Sequence, residues 1–243
     1  MIKFFAKTEH GKNKLKNDDC FLINSFVSQS DEIKKQSKNE NFIVAIADGV
    51  GSSEYGDIAS KFLFDNLSKN NNLLSHQIIL NIIKSTNIDL LKKYKGNAST
   101  VFSIILATDE KISIYHIGDT RVYKLTQNNN LIQLTNDHTY TQRLIDDGII
   151  TDAMRYSHYK KNIILKSLGS KEYIYFDIYK NSFEANEKLL LTTDGIHDYV
   201  DEQTIKNILL SSKNNKKIIE QLIIEAKANN SKDDLTAILI ENI

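Results

Sequence analysis

Apolar residues in this chain fall into short, nearly continuous runs: DCFLINSFV (19–27), NFIVAIA (41–47), TVFSIILA (100–107), KISIYHIG (111–118), RVYKL (121–125), KLLLTT (188–193) and LTAILIENI (235–243). Runs that are apolar at both odd and even positions predict strands covered on two sides, as in a sheet with a second sheet beneath it and helices above. Two longer segments carry the helical period. In LLSHQIILNIIKSTNIDLLKKY (73–94) the residues Ile78, Ile79, Ile82, Ile83, Leu90 and Leu91 form one stripe, and in KKIIEQLIIEAKA (216–228) Ile218, Ile219, Leu222, Ile223 and Ala226 do the same. The turns between the runs at 100–125 are too short for a helical crossover, so these strands are expected to pair antiparallel. Helices cluster between blocks of strands and do not follow each one, which predicts an α+β sandwich over a doubly wound parallel sheet. The polar insert SQSDEIKKQSKNE (28–40) reads as a solvated hairpin loop, because it lacks the apolar surface to fold alone.

Composition narrows the picture. No Pro-rich, Gly/Ser-rich or strongly charged stretch divides the 243 residues, so one domain over 1–243 is expected. Apolar residues at 41% and charged residues at 26% are ordinary for a soluble protein with a substantial core. With 31 basic and 31 acidic residues the net charge is zero, which argues against nucleic acid or a membrane surface as partner. The opening MIKFFAKTEH has too short an apolar run for a signal peptide, and no segment approaches the roughly 18 apolar residues of a membrane span. A cytoplasmic monomer is the expectation. The single cysteine, Cys20, cannot form an internal disulfide and reads as a small core residue.

Acidic residues recur at the ends of the apolar runs. Asp48-Gly49 follows IVAIA, Gly118-Asp119 follows ISIYHI, Asp194-Gly195 follows LLLTT, Asp233-Asp234 precedes LTAILI, and Asp18-Asp19 precedes CFLI. One Asp-Gly is ordinarily a turn. Strand ends that converge at one rim of a sandwich would instead gather these carboxylates, and such a cluster either takes up protons or is neutralised by cations. Hard divalent cations prefer oxygen ligands, and the chain has no His/Cys spacing suited to zinc. The residues alone therefore point to an acidic divalent-metal site of the kind used in two-metal hydrolysis.

The same segments, in order, resemble the metal-dependent protein Ser/Thr phosphatases of type 2C in their compact bacterial form. GKNKLKNDDCFLI (11–23) is similar to the family's Gly-x-x-Arg-x-x-Asn-Glu-Asp motif, ADGVGS (47–52) to Asp-Gly-x-Gly-Gly, and GDIAS (56–60) to Gly-Glu-x-Ala-Ser. ASTVFSIIL (98–106), HIGDTRVYKL (116–125), LTNDHTYTQRLIDDGIIT (134–151), NIILKSLG (162–169), LLLTTDGIHDYV (189–200) and SKDDLTAILI (231–240) complete the series. The resemblance implies a four-layer α-β-β-α sandwich of two antiparallel sheets flanked by helix pairs, with a variable flap at about 138–170. It also implies two Mn²⁺ or Mg²⁺ ions that activate water for in-line attack on a phosphomonoester. By position, Asp48 would bridge the metals, the Gly49 carbonyl would bind the second, and Asp194 and Asp233 the first. Asp18 would act on the second metal through water with Asp19 alongside, and Asp119 with Asp194 matches a third, weaker site. The implied partners are proteins phosphorylated on Ser or Thr and a cognate Ser/Thr kinase.

Departures from the pattern bear on activity. The phosphate-gripping Arg is Lys14, which supplies charge without a bidentate fork. The motif's Glu is Asp18, its second Gly is Ser52, and the usual Asp-Asn pair is Asp233-Asp234, which adds negative charge. Val50 stands where eukaryotic relatives often carry His. His116, His138 and His197 are expected to be structural, and Arg155, His158, Lys160 and Lys161 give the flap a basic tint suited to phosphoprotein substrates. Two rival readings stand beside the phosphatase: a catalytically weak relative that binds phosphoproteins as a regulatory module, and a two-metal nuclease or other phosphoesterase.

Overall fold

The computed structural model describes residues 1–70, 75–108, 111–155 and 157–243. Among the described residues, twelve strands and six α-helices follow in the order β1 (Ile2–Glu9), β2 (Cys20–Ile23), β3 (Phe26–Ser28), β4 (Glu32–Ser37), β5 (Phe42–Gly49), α1 (Gly56–Ser68), α2 (His76–Tyr94), β6 (Thr100–Thr108), β7 (Lys111–Ile117), β8 (Arg121–Leu125), β9 (Leu131–Gln133), α3 (Tyr140–Asp146), β10 (Asp177–Ser182), β11 (Lys188–Thr192), α4 (Asp194–His197), α5 (Glu202–Ser211), α6 (Asn215–Ala228) and β12 (Leu235–Asn242). One sheet has the order β4-β1-β12-β11-β8-β9 and the other β10-β7-β6-β5-β2-β3, with neighbours antiparallel.

Three apolar layers explain why the strands are hydrophobic on both faces. Phe4, Phe21, Val44, Ile46, Ile105, Val122, Leu191 and Ile238 fill the space between the sheets. Leu63, Phe64, Ile79, Ile83 and Leu90 of α1 and α2 pack on Cys20, Ala45, Phe102 and Tyr115 of one sheet. Ile205, Leu209, Leu222 and Ile223 of α5 and α6 cover Phe5, Tyr123, Leu190 and Leu239 of the other. Together these make the four-layer sandwich. Cys20 is fully buried in it, and burial pushes its thiol pKa up, so it is a packing residue.

Local signals set the helix ends. The Ser75 hydroxyl accepts the Ile78 N–H at the start of α2, and Lys95 closes that helix in the left-handed region at φ 51°. Asp201 and Asn214 cap α5 and α6 in the same manner. The expected helix over 73–94 begins at His76, and its Leu73 and Leu74 lie outside the described residues. The polar insert is not wholly a loop: Glu32–Ser37 forms an edge strand whose residues alternate between exposed and half-buried, and it pairs with β1. Backbone pairing to β1 makes this strand, and its one apolar side chain, Ile33, packs on the inter-sheet core.

Candidate active site

Strand register brings the acidic strand ends together. Cys20 pairs with Ala47, which sets Asp19 beside Asp48, and the Gly49 N–H donates to the Asp18 carbonyl at 3.0 Å. Thr192 pairs with both Arg121 and Ala237, so Asp194, just past β11, neighbours the Gly118–Thr120 link and the Asp233-Asp234 approach to β12. Glu9 pairs with Leu235, which carries the loop 11–18 onto the same rim. Gly49 is required here by a close approach: a Cβ would lie 2.5 Å from the Gly56 carbonyl carbon at the start of α1. Gly118, at φ 98°, lets the chain turn tightly beside Val101 into Asp119.

The carboxylates feel one another. A narrow face of Asp48 and of Asp194 reaches solvent, while Asp19 and Asp119 are buried. Desolvation, followed by the charges of Asp19, Asp194, Asp119 and Asp233, holds Asp48 well above the usual carboxylate range. Asp119 is raised by burial and then by Asp194, Asp137 and Asp198. Asp194 is pushed up to about 7 by burial and then by Asp233 and Asp198, against a hydrogen bond with Asp48. Asp19 is raised by burial and by Asp234, although its Oδ2 accepts the hydroxyls of Thr193 at 2.8 Å and Thr236 at 2.6 Å.

Two buried oxygens, Asp19 Oδ1 and Asp194 Oδ1, have no hydrogen-bond partner. An all-oxygen donor set, raised carboxylate pKa values and orphaned buried oxygens fit a hard divalent cation. Among the described residues no three His, Cys, Asp or Glu side chains are already drawn into a ligating group, so a cation would have to close the set.

Lys14, expected to grip phosphate, is turned onto the carboxylates: its Nζ lies 2.6 Å from Asp233 Oδ1, 2.9 Å from Asp234 Oδ2 and 3.6 Å from Asp18 Oδ2. These contacts raise its pKa against the opposing effect of burial. Asp234 does not point its added charge at the other carboxylates unopposed, because Lys14 and two backbone N–H groups neutralise it.

Beside Asp119 and Asp194 lies a small cleft of about 20 Å³, lined also by Thr139, Thr141, Arg155, Lys161 and Asn162. Beneath it lies a buried ion-pair network that the sequence did not reveal. The Arg121 guanidinium grips Asp137 in a fork at 3.0 Å and 2.6 Å, and Arg155 donates to the same carboxylate at 3.0 Å. Burial alone would raise Asp137, but Arg121 and then His197 and Arg155 hold it below the usual range. Arg155 is therefore tied to Asp137 and is not a free basic residue, and Lys161 is paired with Asp198 at 3.6 Å. His138 accepts the Gly118 N–H at 3.0 Å, and His116 and His197 are buried, bonded to Ser103 and Thr192. The signal for the network was present in Asp137 and Arg121, yet nothing local to either marks them as partners.

Fold and rim together define an antiparallel α-β-β-α sandwich with a carboxylate-lined site at one edge. The protein phosphatase 2C profile matches residues 8–239. The serine/threonine phosphatase stp of Listeria welshimeri is 29% identical over 220 residues, covering 85% of this chain and 86% of that one. The serine/threonine phosphatase Stp1 of Staphylococcus aureus superposes with a TM-score of 0.86 at 28% identity, over 100% of this chain and 96% of that one. The catalytic domain of the phosphatase PstP, solved with 2 manganese ions, shares the fold at a TM-score of 0.80 and 21% identity, over 99% of each chain. The chain belongs to the protein phosphatase 2C family and is a phosphatase of the bacterial type.

Proposed function

We propose that this protein is a Mn²⁺- or Mg²⁺-dependent phosphatase that hydrolyses phosphoserine and phosphothreonine in proteins, opposing a Ser/Thr kinase. The observation that carries this reading is the convergence of Asp18, Asp19, Asp48, Asp119, Asp194 and Asp233 on one rim, with two buried carboxylate oxygens lacking any donor. In this reading Asp48, the Gly49 carbonyl, Asp194 and Asp233 would hold the cations directly. Asp18 and Asp19 would support them from the second rank, and Asp119 with Asp194 would offer a further, weaker site. When bound, the ions lower the pKa of water and neutralise phosphoryl charge. The neighbour solved with 2 manganese ions supports two as the working number.

The chain's own groups do the positioning. The Thr100 hydroxyl donates to the Asp48 carbonyl at 2.6 Å and holds the strand exit, and Thr193 and Thr236 fix one oxygen of Asp19. Lys14 brings a positive charge to the rim, where a substrate phosphate can exchange for one of its carboxylate partners. The segment 138–170 serves as a flap over the adjoining cleft, within a single catalytic domain. The test is Mn²⁺-dependent hydrolysis of a phosphothreonine peptide by wild type and Asp194→Ala. Loss of about a hundredfold or more in the variant is expected. Equal turnover by both proteins overturns the reading, and turnover of a phosphodiester in place of the peptide favours the nuclease.

A further inference from the structure

We infer that Asp234 is a positioning residue of this site: it clamps the N-terminal loop 11–18, and with it Lys14, against the strand ends that carry the other carboxylates. Its side chain is 2% exposed, whereas that of the adjacent Asp233 is 44% exposed. Oδ1 of Asp234 accepts the Gly11 N–H at 2.7 Å, and Oδ2 accepts the Asp18 N–H at 2.8 Å together with the Lys14 ammonium at 2.9 Å. One carboxylate thus holds both ends of the loop and the charged side chain between them.

The contacts extend through the rim. The Asp18 carbonyl accepts the Gly49 N–H at 3.0 Å, so the backbone of Asp18 links Asp234 to the exit of β5. A Cβ on Gly195 would lie 1.9 Å from the Asp234 carbonyl oxygen, and one on Gly11 would lie 2.3 Å from that of Lys232. Asp234 is therefore packed against the segments that carry Asp18 and Asp194, and the Asp18 backbone connects it to Gly49, next to Asp48. Three donors converge on it, and a carboxylate can accept them all. An asparagine offers one acceptor oxygen and would turn its own N–H₂ toward a backbone N–H or the ammonium. The two consecutive aspartates have different work: Asp233 stands at the rim, and Asp234 holds the rim together.

The kinetic consequence rests on the proposed phosphatase activity; the clamp itself does not. The test compares Asp234→Asn, Lys14→Gln and the double variant by amide hydrogen exchange in EDTA and in Mn²⁺, and by KM and kcat on a phosphothreonine peptide. For Asp234→Asn, protection of the Gly11 and Asp18 amides falls about tenfold in both conditions. Its KM rises about tenfold with kcat within about threefold. Lys14→Gln raises KM without altering the exchange of those two amides, and the double variant is no worse in KM than Asp234→Asn, because the effect passes through Lys14. Wild-type protection in Asp234→Asn overturns the inference, as does a collapse of kcat and Mn²⁺ binding to the level of Asp194→Ala, which would make Asp234 a ligand. If the wild type turns over no phosphopeptide, the phosphatase reading falls and amide exchange alone decides the clamp.

Discussion

Gly49 illustrates how a position can be singled out by its sequence for one reason and required by the structure for another. Its place after Asp48 suggested a carbonyl left open to a cation; its neighbours show a backbone packed on Gly56 with no room for a methyl group. Gly49→Ala should therefore lose about 1–3 kcal/mol of stability through overpacking, while Gly51→Ala, which meets nothing within 4 Å, should stay within about 0.5 kcal/mol; urea denaturation separates the two. His116 makes a second prediction. Burial, reinforced by His138, pushes its imidazole down to about 4, so the folded protein binds fewer protons there than the unfolded chain. That stability is fully present above the unfolded pKa of about 6.5 and is lost as pH falls toward 4. Between pH 7 and pH 5 the loss should be about 2 kcal/mol. The raised rim carboxylates shift stability in the opposite direction, so the measured quantity is wild type minus His116→Gln, whose difference should shrink as pH falls. The six rim aspartates were legible because each sits beside an apolar run. The split between Asp233 and Asp234 was not, since two identical neighbours carry no mark of which turns inward.

Among the elements, β1 and β4 and the flap show what patterning misses. β4 carries one apolar residue, Ile33, which packs on the inter-sheet core, has Lys34 and Lys35 at its centre, and is held as a strand by its backbone pairing to β1. Lysines on an edge strand also discourage pairing with a second chain. The segment 138–170 has a basic tint in sequence, but Arg155 is withdrawn onto Asp137 and Gln142. Arg155→Met should release this segment without unfolding the sandwich: proteolytic cleavage within 140–162 should accelerate while the main melting transition moves little. Asp137→Ala should be far more damaging, because Arg121 is 2% exposed and would be left as an unpaired buried charge, at a loss of about 3–5 kcal/mol. If the two variants melt alike, the network is not the anchor described.

For the whole molecule, the closeness of the raised carboxylates predicts that a divalent cation adds to the stability. At about a hundred times its dissociation constant, Mn²⁺ should stabilise the fold by about 2.7 kcal/mol, visible as a rise of several degrees in Tm, and Asp194→Ala should lose most of that rise. The layered core predicts one cooperative unfolding transition, since the inter-sheet cluster draws on strands from Ile2 to Ile240. The order of apolar runs, the short turns and the acidic strand ends were enough to establish two antiparallel sheets with helices outside and a carboxylate rim, because these are consequences of side-chain period and of the residues that bound each buried run. Partnership across the chain was decided only by folding. Folding places Asp234 on Gly11 and Asp18, Asp137 between two arginines, and Lys14 on Asp233 and Asp234, over two hundred residues away. Such contacts depend on which strand ends meet in space, and no local spacing records that.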